Sequence, residues 1–424
     1  MILVPDLIDI VKNAESDAER RVARLLREKG YRCVFSTYNA ATPYVRKMGF
    51  EAYDGTPLMW EEGSDGGVDF RATLRKGRSL FSAVRHQVRQ ERARLAEVLP
   101  DVVVSDSRYT TWMAMYSQPM PDFFVTNQVR ILIPPIRSSS LHDAVERAVN
   151  RVNAAVLRRS SAVVVPDLPL PLAISRANMP PPDVLPSMRF VGPICQVTPE
   201  ELPSRSALRT DLGVDGPMVF CAISGPGRSP EAVSLRLQEA LASAPFSVRL
   251  TRGQAQGEAP RQEGAVLAST WSDERYHLLK AADVLISRPG LTTISEALRY
   301  GKPMVLIPTP NQTEQVANAA TVEALGLGKV VAQEELSPAA LQAAVTGLLE
   351  DRSVAACCER FAKLATHFDG AAGLAELISA HVEEREPRLP TMPGSQWESM
   401  ASVQPTTAQY GGPSPSGQAR GSGG

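Results

Sequence analysis

The sequence predicts a doubly wound α/β protein, with two open, mainly parallel sheets, each flanked by helices, facing one another across a cleft. Three observations carry this reading. The chain has 424 residues, more than one hydrophobic core usually serves. Short apolar runs of strand length alternate with amphipathic helical patterns, first in one long stretch and then in a second. Between them lies a proline-dense segment, Pro166 to Pro186, followed by Phe190-Val191-Gly192-Pro193-Ile194 and by Pro199 to Pro203, which reads as a crossover. The expected division is residues 1–190, residues 191–385 and a tail, 386–424, whose Pro, Gly, Ser and Gln content predicts disorder.

In the first domain, residues 18–29 pattern as an amphipathic helix closed by Gly30 and feeding a strand from Tyr31 to Ser36. A helix over Phe81 to Leu99 leads to a Val-rich strand at Asp101 to Ser105. Another strand, Asp122 to Thr126, ends at Asn127-Gln128, and a helix at 141–157 precedes the strand Ala162 to Val165. The second domain opens with the strand Met218 to Ile223 and the helix Glu231 to Ala242. Strands Ser247 to Leu250 and Ala265 to Ala268 follow, then the helix Asp273 to Ala282. Val284 to Ser287 is a strand, Arg288-Pro289-Gly290 breaks it, Thr292 to Tyr300 is a helix stopped by Gly301, and Met304 to Pro308 is the next buried strand. Helices near 337–349, 352–367 and 370–384 finish the fold.

With 45 basic and 46 acidic residues the net charge is near zero, which argues against a wholesale nucleic-acid binder. Cys33, Cys195, Cys221, Cys357 and Cys358 show no C-x-x-C or zinc-type spacing and read as buried, reduced thiols. Met1 to Val11 contains Asp6 and Asp9 and lacks a basic leader, so it does not read as a signal peptide. No uncharged apolar run approaches the roughly 18 residues of a membrane span. The expectation is a cytoplasmic protein, free or at a membrane surface.

The stretch from Asp283 to Ala319 is the most informative in the chain. Two strands joined by a short helix make a right-handed crossover in a parallel sheet, and such sheets bind ligands beyond the carboxyl ends of their strands. Arg288, Gly290, Thr292 and Thr293 begin a helix at such an end, with Glu296 one turn further on the same face. That spacing suits a nucleoside diphosphate, the turn and hydroxyls meeting the diphosphate and the carboxylate accepting from ribose hydroxyls. Ser224-Gly225-Pro226-Gly227, after the first strand of the second domain, either aims backbone N–H groups at an anion or is a plain tight turn. Gln315 and Asn318, three residues apart at the next helix start, either present amides to sugar hydroxyls or cap an ordinary crossover. Trp271 is either a rest for a base or a core ring. The whole reads as a nucleotide-sugar site.

The run from Ala282 to Ala319 resembles the donor-sugar motif of MurG-like glycosyltransferases, glycosyltransferase family 28, which have the two-domain GT-B fold of paired Rossmann-like domains and use UDP-sugars. Phe190-Val191-Gly192-Pro193, Ser224-Gly225 and Asp101 to Asp106 sit where that family has equivalent segments, so the likeness spans residues 18–384. The resemblance implies that Glu296 holds the ribose and that Gln315 and Asn318 hold the sugar hydroxyls. It gives the diphosphate to Ser224, Gly225 and the Arg288 to Thr293 turn, and the uracil to the backbone near Trp271. It also implies an inverting hexosyl transfer to a lipid-linked or glycan hydroxyl, with no cofactor beyond the UDP-sugar and no metal, the helix N-termini and Arg288 neutralising the departing diphosphate. One departure is visible. The family's opening Gly-rich, often His-containing loop is replaced by Val11-Lys12-Asn13-Ala14-Glu15-Ser16-Asp17.

An in-line displacement requires a base near the acceptor hydroxyl. Asp106, just past the strand Asp101 to Ser105 and facing the cleft by the carboxyl-end rule, is the candidate, or else a helix cap; Glu15 and Asp17 are secondary candidates. The segment Arg71 to Arg94 holds eight arginines and lysines against the single acid Glu91, with apolar residues interleaved. It either lies on anionic lipid or is a solvated basic face. Two other functions share these features: a non-catalytic UDP-sugar-binding subunit, suggested by the missing loop, and a UDP-sugar 2-epimerase, which the helical placement of the histidines does not suit.

Overall fold

A computed structural model describes residues 2–4, 17–38, 41–56, 77–116, 120–134, 139–180, 185–223, 229–252, 259–270 and 274–391. The expectations for Glu15, Ser224, Gly225, Trp271, residues 57–76 and most of the tail lie outside them. Residues up to Pro390 form one compact unit. Within it are two sheets of seven strands each.

The first sheet runs β3 (Glu51–Asp54), β2 (Val34–Thr37), β1 (Ile2–Val4), β4 (Val103–Asp106), β5 (Asp122–Val125), β6 (Ala162–Val165), β7 (Met188–Phe190), every pairing parallel. Helices α1 (Asp17–Glu28), α2 (Ala41–Lys47), α3 (Gly77–Val98), α4 (Tyr109–Met115) and α5 (Ser139–Leu157) connect these strands. A parallel sheet is covered on both faces, so its strands are apolar throughout rather than alternating. Val164 joins one core cluster with Val22, Leu26, Phe35 and Phe123, whereas its neighbours Val163 and Val165 join another with Phe124 and Leu157.

The second sheet runs β10 (Arg261–Glu263), β11 (Val266–Ser269), β9 (Ser247–Thr251), β8 (Met218–Ala222), β12 (Val284–Ser287), β13 (Met304–Leu306), β14 (Gly328–Val330), parallel except for the edge hairpin of β10 with β11. Helices α6 (Arg205–Asp211), α7 (Ser229–Leu241), α8 (Arg275–Ala281), α9 (Leu291–Arg299), α10 (Thr313–Ala324), α11 (Pro338–Glu350) and α12 (Arg352–His367) belong to this half. The last helix, α13 (Gly370–Val382), returns to the first sheet, where Ala371, Leu374 and Ile378 share a core with Val22 and Leu26 of α1.

The chain therefore crosses between the halves twice, and the two crossings touch backbone to backbone. Gly192 has φ +98°, and a Cβ there would lie 2.0 Å from the Phe368 carbonyl oxygen. Gly370 N–H donates to the Pro193 carbonyl at 3.1 Å. Arg21 of α1 grips both Asp369 oxygens, at 2.8 and 2.5 Å, and the Cys195 carbonyl at 3.3 Å.

All five cysteines are free and buried, and burial pushes the Cys33 thiol up to about 11. Among the described residues no helix is long and apolar enough to cross a membrane.

Candidate active site

Strands β8, β12 and β13 are adjacent and parallel, with Ser287 beside both Ala222 and Leu306, so their carboxyl ends open on one edge of the second sheet. Each apolar strand stops at a polar or glycine-containing turn, and the next helix starts there. Gly290 is the N-cap of α9 with φ −71° and ψ 140°, and no side chain caps the helix. A Cβ on Gly290 would meet nothing within 4 Å, Thr292 is exposed, and Thr293 is half-buried. The first-turn N–H groups of an α-helix lack intrahelical acceptors, and the dipole places about half a positive charge there. This end is open to an anion.

Other residues expected at the ligand are turned inward. The Arg288 guanidinium is 7% exposed and donates to the Ile307 carbonyl at 2.9 Å and to Gln333 Oε1 at 2.6 Å, tying the end of β12 to that of β13. Burial pulls it down to about 10. It strengthens the positive field behind the turn rather than gripping an anion directly.

Glu296 is 2% exposed; its Oε2 accepts from Arg275 at 2.6 Å and its Oε1 from the Tyr276 hydroxyl at 2.9 Å. The expectation of a carboxylate standing open to ribose is corrected, because buried donors on α8 already hold both oxygens. Tyr276 also donates to Gln196 Oε1 of the crossover at 3.2 Å. Burial, and then the Glu296 charge, raise the phenol well above its ordinary value, so it stays a donor.

Asn318 is fully buried, its amide nitrogen donating to the Pro289 carbonyl and to Glu314 Oε1, both at 3.2 Å. Its expected exposure to sugar hydroxyls is likewise corrected. It braces α10 against the Pro289 turn. Gln315, half-buried, accepts from the Thr309 N–H at 2.8 Å and shapes the loop after β13.

Across the cleft, Asp106 ends β4 and is half-buried. The turn beyond it is pinned on both flanks. Ser107, at φ +50°, donates its N–H to the Val125 carbonyl at 2.8 Å, while Arg108 reaches the Ser36 carbonyl at 3.1 Å and Glu91 at 3.1 Å. Glu91 is fully buried and also takes bonds from Ser36 at 2.7 Å and Arg94 at 2.8 Å. Two guanidiniums on one carboxylate leave a net positive charge behind the Asp106 turn. Arg94 therefore leaves the proposed basic face of α3, whereas Arg85, Arg89 and Arg92 are exposed beside Phe81, which is 63% exposed.

A contact between the halves was not anticipated. Glu314, at the start of α10, accepts from Asn127 Nδ2 and Gln128 Nε2, each at 2.7 Å, and Thr313 donates to the Leu132 carbonyl at 2.8 Å. Asn127 and Gln128 follow β5, the strand paired with that of Asp106. The available signal was the carboxyl-end rule, already applied to Asp106 and Gln315.

The profile of the glycosyltransferase family 28 C-terminal domain matches residues 235–368, which hold every described donor-side candidate. An uncharacterized glycosyltransferase of Methanosarcina acetivorans is 26% identical over 362 residues, covering 84% of this chain and 90% of the relative. A UDP-N-acetylglucosamine–N-acetylmuramyl-(pentapeptide) pyrophosphoryl-undecaprenol N-acetylglucosamine transferase of Rhizobium leguminosarum is 38% identical over 124 residues, 29% of this chain and 33% of the relative. Among solved structures, the kitacinnamycin glycosyltransferase superposes with a TM-score of 0.63 at 19% identity, covering 89% of this chain and 97% of that one. The calicheamicin glycosyltransferase gives 0.61 at 19% identity, over 90% and 98%. The chain is therefore a glycosyltransferase of the GT-B fold that carries the family 28 C-terminal domain.

Proposed function

We propose that the chain transfers a hexose, N-acetylglucosamine or a similar sugar, from its UDP donor to a hydroxyl of a lipid-linked or glycan acceptor, with inversion and without a metal. The carrying observation is the uncapped N-terminus of α9, with open space before Gly290, on the shared edge of β8, β12 and β13. A UDP diphosphate there meets N–H groups and the Thr292 and Thr293 hydroxyls, with the buried Arg288 charge behind them. The 38%-identical Rhizobium relative has a UDP-N-acetylglucosamine donor in its name, which supports this sugar class.

In the transfer, Asp106 takes the proton of the acceptor hydroxyl as its oxygen attacks the anomeric carbon. The bond from that carbon to the β-phosphate oxygen breaks, and its electron pair leaves with UDP. Fixed dipoles at the α9 terminus then stabilise the charge that develops on the leaving group, at no cost in reorganisation. Exposed Phe81, Arg85, Arg89 and Arg92 support a cytoplasmic enzyme working at an anionic membrane surface.

The test is Asp106→Asn, incubated with UDP-N-acetylglucosamine and a panel of lipid-diphosphate and glycan acceptors. Transfer should fall by at least about a hundredfold, the usual scale of general-base catalysis, with UDP affinity unchanged. Undiminished transfer removes Asp106 from the mechanism. UDP binding without turnover by the wild type would favour the non-catalytic subunit, a reading motivated by the glycine-free Val11 to Asp17 segment.

A further inference from the structure

We propose that Asn127 and Gln128, from the first half, complete the hexose subsite of the second half and select for neutral, hydroxyl-rich sugars, with Glu314 as the positioning residue that aims them. The proposal rests on the donor reading above and adds to it residues from the opposite side of the cleft.

The orientation of the two amides is decided by their partner. An ionised carboxylate only accepts hydrogen bonds, so Glu314 fixes the nitrogen ends of Asn127 and Gln128 toward itself, each at 2.7 Å. In a planar amide the carbonyl oxygen then points away from the carboxylate. Neither Asn127 Oδ1 nor Gln128 Oε1 receives a hydrogen bond among the described residues, and both side chains are only half-buried. The result is a pair of aimed, unoccupied acceptors beside a carboxylate, adjoining Gln315 and the bracing Asn318.

Such a cluster recognises hydroxyl groups, which donate to each oxygen. It repels an anion, because every outward atom carries partial or full negative charge. A neutral hexose with neighbouring hydroxyls fits; a uronic acid places its carboxylate against Glu314. The loop is held in register by the Thr313 bond to the Leu132 carbonyl, so these acceptors do not depend on Glu314 alone for their place.

The experiment is calorimetric titration of the wild type, the double variant Asn127→Ala with Gln128→Ala, and Glu314→Gln, using UDP, UDP-N-acetylglucosamine, UDP-glucose and UDP-glucuronate. All proteins are first checked by thermal unfolding. UDP affinity should be the same in all three. In the double variant the preference for the two neutral UDP-hexoses over UDP should drop about tenfold or more, the scale of two lost neutral hydrogen bonds. Glu314→Gln, which keeps one acceptor oxygen, should lose less of that preference but bind UDP-glucuronate better than the wild type does. An unchanged or increased hexose-to-UDP ratio in the double variant overturns the assignment, the increase showing that the amides block the subsite. Failure of the wild type to bind UDP overturns the donor reading itself, and this proposal with it.

Discussion

Replacing Glu296 by alanine removes one acceptor from two buried donors, Arg275 at 2.6 Å and Tyr276 at 2.9 Å. Breaking a buried ion pair by removing one member costs about 3–5 kcal/mol, because the remaining group is left without compensation. The Arg275 side chain is 20% exposed and can turn toward water, and Tyr276 keeps its bond to Gln196, so the lower end applies, about 3 kcal/mol. At roughly 2 °C per kcal/mol for a large domain, Tm should fall by about 6 °C. Glu296→Gln, which still accepts from Tyr276, should lose about half as much. Denaturant midpoints and thermal scans measure both, with UDP titration of the folded variants alongside. A variant with wild-type stability and no UDP affinity would refute this reasoning, since that is how a carboxylate open to ribose behaves.

Gly192→Ala drives a Cβ into the Phe368 carbonyl at 2.0 Å, whereas Gly326, at φ +70°, has nothing within 4 Å. Gly192→Ala should therefore yield little folded protein, and Gly326→Ala should cost only about 1 kcal/mol, compared by soluble yield and denaturant midpoint. Gly347 lies within α11 with nothing within 4 Å, so Gly347→Ala should stabilise by about 1 kcal/mol in the same assay. Burial pushes the Asp167 carboxyl from 3.8 up to about 6, although Leu168 N–H and the Ser175 N–H and hydroxyl donate to it. Between those values the folded state binds more protons than the unfolded one, so stability falls as pH rises from about 4 to about 6, by about 3 kcal/mol in all. Asp167→Asn should lack that slope in Tm against pH, and equal slopes would contradict the assignment.

The long elements were legible because their periodicity is local. The strand Ala162–Val165 and the helix at 352–367 stand where the pattern put them. The strand expected at Tyr31 to Ser36 is shifted to Val34–Thr37, as boundaries commonly are. Central strand β1 was not read, because Ile2–Val4 is three residues long and no helical pattern follows it. Short α2 and the edge strand β3 have too few residues to show a period. At the site, sequence located the right loops but not the direction of their side chains. Whether Arg288 meets a ligand depends on the Ile307 carbonyl and Gln333, and whether Glu296 is open depends on Arg275 and Tyr276. Those partners come from other elements, and no local pattern encodes them. The pairing of Asn127 and Gln128 with Glu314 joins the two sheets and is the least local contact of all.

Hydrogen exchange with and without saturating UDP tests most directly where the donor binds. The account predicts slowed exchange in the segments after β12 and β13, residues 288–294 and 307–315, with the carboxyl edge of the first sheet changed little by UDP alone. Protection confined to the first sheet, with 288–294 exchanging as fast as in the free protein, would contradict it.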